Sequence, residues 1–200
     1  MTIAAPNVAA TGSRRGQTEA QHNKAAIGKR FILIDFGSSS MGTIAVLSFF
    51  ALAAAHLGVA HRSDLPAFVG DRSEAIFDLW SLQHFCAGVL LGALLLRCKF
   101  LRFETWKELA VAAALLAFAW EAAELAMEAG LFGQVVASWK GGFEHWSNRL
   151  FGDPLMVTSG ALIASRFAQA WQIVLLPAVI WLLINVISPN SMYIQRLLFG

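Results

Sequence analysis

Read along the chain, polar side chains give way to apolar ones in five runs: 41–60, 77–96, 109–128, roughly 153–168, and 170–187. A helix rising 1.5 Å per residue needs about 20 mainly apolar residues to cross a bilayer. The first three runs meet that length. The fifth is adequate, with Pro177 placed to kink it. The fourth is short and closes at Arg166, so it reads as a tilted or re-entrant segment. Five spans are expected, with four and a half as the rival count. The pattern predicts an all-α, polytopic membrane helix bundle over residues 38–200.

Residues 1–37 read differently. The stretch 1–30 is polar, basic and rich in Ala, Gly and Ser, and lacks the apolar core of a cleavable signal. It is expected to be a flexible cytoplasmic tail. Residues 31–36 (FILIDF) are too few to span and read as an interfacial segment.

Composition agrees with a membrane solvent: 57% of residues are hydrophobic and only 14% charged, against about 25% charged in ordinary soluble domains. The net charge of +2 is less informative than where the basic residues lie. Arg14, Arg15, Lys24, Lys29 and Arg30 precede the first run; Arg97, Lys99, Arg102 and Lys107 follow the second. With Arg166, ten basic residues fall on one side and five (Arg62, Arg72, Lys140, Arg149, Arg196) on the other. The positive-inside rule then puts the N-terminus in the cytoplasm and the loops 61–76 and 129–152 outside, as in a bacterial inner-membrane protein. Trp80, Trp106, Trp139, Trp146 and Trp171 fall near predicted span ends, where interfacial aromatics belong.

Against this background the informative residues are the ionisable ones inside the spans. Trp120-Glu121-Ala122-Ala123-Glu124 sets two carboxylates on one face of an apolar helix, with Glu128 a turn further. A carboxylate at bilayer depth needs a cation, a proton or a hydrogen-bonding partner. On the second run His84, Gly88 and Gly92 share a face, and the glycines let a neighbouring helix approach closely. Counted at the helical rise, His84 and Glu121 both lie roughly 10 Å below the outer surface. Asp153 heads the fourth run from the same side, and His56 is near the outer end of the first. These positions point to one shared polar site in the outer half.

Several chemistries fit that site. His84, Glu121, Glu124 and Asp153 have the ligand types of a hard divalent cation such as Mg, Mn or Fe. His84 could equally transfer a proton, or do no more than hydrogen-bond a glutamate. Asp153 before Pro154 also suits a plain helix N-cap. Asn148 and Arg149 come from the outer loop, with Arg149 expected to pair with the glutamates or to hold an anionic head group. Glu144 and His145, in the same loop, read as solvated. A tetrapyrrole on His56 and His84, haem or chlorophyll, is a further reading. Cys86 and Cys98, about 18 Å apart along one helix, are expected as free thiols.

The order of these motifs carries a resemblance. His84 followed by Gly88, then Trp120, Glu121 and Glu124, then Asn148, Asp153 and Gly160, resembles the small VanZ-like and YjdF-like bacterial membrane proteins. It is most similar to the bacterial membrane family termed domain of unknown function 2585. That family tends to carry a second His where this chain has Ala87, and one residue fewer between the Asn and the Asp. The resemblance covers residues 77–168 and implies a shared polar site, with lipid-linked or cell-envelope ligands. Membrane lipids are expected partners, together with other membrane subunits if the chain is instead a non-catalytic scaffold. Nucleic acid is not expected, and whether the chain is an enzyme is left open.

Overall fold

In a computed structural model the described residues are 38–60, 64–71 and 73–187. The tail and interfacial segment expected over 1–37 lie outside them. The chain is mostly helical. Helix α1 runs Ser38–Ala60 and α2 Leu79–Arg97; α3 runs Trp106–Glu128 and α4 Gln134–Lys140. A π-helical turn at Asn148–Gly152 leads without a break into α5, Asp153–Arg166, and α6 spans Ala170–Ile187. Of these, α1, α2 and α3 are long and apolar enough to cross a membrane, which is compatible with a membrane protein.

Local chemistry sets the helix starts. Asp78 caps α2 by accepting from the Ser81 amide at 2.9 Å, while Ser81 Oγ accepts the Asp78 amide at 3.1 Å. Thr105 and Glu108 make the same reciprocal box at α3. Each pairing satisfies amides that the first helical turn leaves without a carbonyl. Between α1 and α2 two three-residue strands, β1 (Ala67–Val69) and β2 (Ala75–Phe77), pair in parallel with Ala67 opposite Ala75 and Val69 opposite Phe77. This element was not expected from the apolar pattern.

The short helix α5 is central: it packs most extensively on α2 and then on α3, while α1 lies on α3 and α6 on α2. A helix enclosed by its neighbours need not match the apolar thickness that a lipid-exposed one must. The α2–α5 contact depends on missing side chains. A Cβ on Gly88 would run into the Val157 carbonyl, and one on Gly92 would come within 2.6 Å of Ala161 Cα. The glycines therefore hold the His84 face of α2 against the helix that Asp153 begins. By contrast, α1 turns Leu47 and Phe50 outward, as a face against lipid would.

Candidate functional site

Four elements converge on one acidic cluster. From α3 come Glu121, Glu124 and Glu128, aligned by their spacing of three and four residues. From α2 comes His84, from the loop after α4 Glu144, and from the start of α5 Asp153. His84 Nδ1 lies 3.1 Å from the Trp80 carbonyl oxygen and 3.2 Å from Asp153 Oδ2. With the ring proton held there as Nδ1–H, the Nε2 lone pair faces Glu121 Oε1 at 3.6 Å. Asp153 Oδ1 accepts from Ser81 Oγ at 3.2 Å. His84, Glu121 and Asp153 each offer a ligand atom, all within 4.8 Å of one another, and Glu121, Glu124 and Glu144 form a second such group. Ligands of a hard cation with bonds of about 2.0–2.6 Å stand at such separations.

Beside the acids stands Arg149, completely buried. Its Nη2 donates to Glu128 at 2.8 Å and to Glu144 at 3.2 Å, and Nη1 to His56 Nδ1 at 3.0 Å. Its Nε is 3.6 Å from Glu121 Oε2. Burial alone would favour the neutral guanidine, but the carboxylates of Glu144, Glu128 and Glu121 outweigh it and raise the Arg149 pKa above its ordinary value. Arg149 is therefore a fixed positive charge. The π-helical turn aims it: the Asp153 amide bonds back five residues to the Asn148 carbonyl, widening the helix where Arg149 projects. A second cation, Lys140 at the end of α4, reaches Glu124 at 2.8 Å.

Among the described residues, Glu121, Glu124, Glu128, Glu144 and Asp153 gather around two cations, Arg149 and Lys140. Glu121 stands out, because neither of its oxygens makes a hydrogen bond although the residue is fully buried. Buried polar atoms are normally satisfied, so Glu121 is suited to an added cation or proton. A polar pocket of about 10 Å³ lies between Asp78, His84, Glu124, Lys140, Glu144 and Asp153, enough for one water-sized species. It adjoins an apolar cavity of about 430 Å³ that shares Trp80, His84, Glu124 and Lys140 with it.

The predicted residues thus come together, with corrections. Asp153 is not an N-cap: its backbone is helical and its side chain makes no cap bond. The upstream π turn already supplies the carbonyls, which frees the carboxylate for Ser81 and His84. Glu144 and His145 are not solvated but buried, at 4% and 2% exposure, because the loop folds inward onto α3. Arg149 is too enclosed to meet an anionic head group. Asn148 is buried behind Gly152 and lies outside the two acidic groups. His56 is fully buried, with its Nδ1 3.0 Å from Arg149 Nη1. The larger space beside the site is mainly apolar. Glu144 is the site residue that sequence reasoning dismissed, because nothing in the local pattern of its loop signals that it turns inward. Cys86 and Cys98 are free thiols.

No family model, curated protein or solved structure matches this chain.

Proposed function

We propose that this chain is a polytopic inner-membrane protein whose outer half holds a divalent cation on His84, Glu121 and Asp153, with Glu124 and Glu144 alongside. The observation that carries the reading is Glu121: a fully buried carboxylate with two oxygens lacking hydrogen bonds, within 4.8 Å of two further ligand types. A divalent ion would offset the charge of two carboxylates in this cluster. The oxygen-rich donor set with one imidazole favours Mg, Mn or Fe over zinc. Five crossings with a cytoplasmic N-terminus accompany this reading, as does kinship with the domain of unknown function 2585. The order of His84, Glu121, Glu124, Asp153 and Gly160 supports that kinship.

Elemental analysis of detergent-purified protein, wild type beside Glu121→Gln, tests the proposal. Near-stoichiometric metal in the wild type and none in the variant is the expected result. Equal metal in both, or none in either, overturns it. A second reading is favoured by the ion pairs of Arg149 and Lys140: a closed polar lock in a scaffold subunit, with acids of the cluster protonated. That reading expects no metal in any sample and co-purifying membrane partners.

A further inference from the structure

The apolar cavity beside the cluster ends on two of its side chains, His84 and Glu124, but extends well beyond them. Its walls include Ala87 and Leu91 of α2, Leu116 and Ala117 of α3, and Leu182 and Val186 of α6. Leu116 and Leu182 are about half exposed, so the cavity is open at its side, where a membrane-embedded protein would meet lipid. At its polar end Trp80, Trp120 and Trp139 join Glu124 and Lys140. Trp80 and Trp139 fall near span ends, at the depth of lipid head groups, and tryptophan ring faces attract an ammonium.

We infer that this groove binds a zwitterionic phospholipid of the phosphatidylethanolamine type, one acyl chain along Ala87, Leu91, Leu116 and Leu182 and the head group at Lys140 and Glu124. Charge selects the head. Lys140 and Glu124 form an ion pair at 2.8 Å where the groove meets the polar pocket. A zwitterion inserts into that pair without changing the net charge: its phosphate takes Lys140 and its ammonium takes Glu124, with Glu144 lining the same pocket. An anionic head would satisfy Lys140 and leave Glu124 with its charge exposed to an already acidic cluster. The inference goes beyond the cation reading and does not require it: the two share Glu124 and Glu144, but the head group engages neither His84 nor Glu121 as a partner.

The test uses the full chain in micelles of an uncharged maltoside detergent, which carry no competing zwitterion, doped with a photoactivatable phosphatidylethanolamine carrying a diazirine in its acyl chain. The matched phosphatidylglycerol probe, anionic and without an ammonium, runs in parallel. Saturable crosslinks at Ala87, Leu116 and Leu182 with the ethanolamine lipid are expected, about tenfold stronger than with the glycerol lipid. Ala87→Trp, at an exposed position that tolerates bulk, fills the groove and abolishes them. Glu124→Gln removes the preference between probes but keeps the crosslinks. Labelling spread evenly over the outward face of α1 and unaffected by Ala87→Trp overturns the site. Groove labelling of equal strength with both probes in the wild type overturns the head-group assignment. Metal content measured on the same preparations separates the two proposals: groove labelling without metal sinks the cation reading alone, and metal retained in Ala87→Trp while labelling is lost supports both.

Discussion

Arg149 is the costliest side chain to keep where it is, and it organises the residues around it. Its guanidinium is enclosed by Glu128, Glu144, Glu121 and His56, so removing it strands several buried carboxylates at once. Breaking one partner of a buried ion pair typically costs about 3–5 kcal/mol. Arg149→Met is expected to lower stability by about that amount, read as a fall in Tm in detergent. Adding Glu128→Gln and Glu144→Gln should recover part of the loss, because the stranded charges are then gone. No recovery would mean that Arg149 acts through packing rather than charge. The sequence made half of this network readable. Glu121, Glu124 and Glu128 announce a shared face by spacing alone, whereas Glu144 sits in a glycine-flanked loop whose inward path no local pattern encodes.

Two elements give the residues their geometry. The π turn at Asn148–Gly152 inserts an extra residue into an otherwise regular helix and rotates Arg149 relative to Asp153. Deleting Leu150 should restore α-helical register and turn Arg149 away from Glu128. Circular dichroism is expected to report near-unchanged helix content, while bound metal falls about tenfold or more; retained metal would mean the turn is incidental. The glycines of α2 act at the same scale. Gly88→Leu would drive a side chain into the Val157 carbonyl, push α5 away and separate His84 from Asp153. The expected outcome is loss of metal with the protein still membrane-inserted, and a variant that keeps full metal content would refute the spacer role. The runs of apolar residues foretold α1, α2 and α3, and also α6 with its Pro177. A π turn has no such periodic signature, and the strand pair is too short to have one.

At the scale of the molecule, the expected topology sets Cys98 and α4 on opposite sides of the membrane. Cys98 follows α2 and Gln134 begins α4, and the positive-inside expectation puts the first in the cytoplasm and the second outside. In a variant carrying Gln134→Cys, an impermeant maleimide added to cells with a permeabilised outer membrane should label position 134 and spare Cys98. Labelling of Cys98 instead would invert the orientation. The arrangement of the helices explains why so polar a cluster is tolerated. The short α5 is packed on α2 and α3, and it carries Asp153 into their buried interior.

Periodicity and composition alone determined that this chain is mostly helical, with helices able to cross a bilayer. They also determined that three glutamates share one helix face and that His84 stands above a glycine stripe. Those properties are local: a hydrophobic run and a spacing of three, four or seven residues fix them without reference to the rest of the chain. Which groups meet was decided only by tertiary structure. The inward fold of the loop brought Glu144 to Arg149, the π turn released Asp153 from capping, and the packing of α6 on α2 enclosed an apolar groove against the Lys140–Glu124 pair. Each depends on contacts between residues distant in sequence, and the chain's local pattern does not encode which of its polar side chains will face one another.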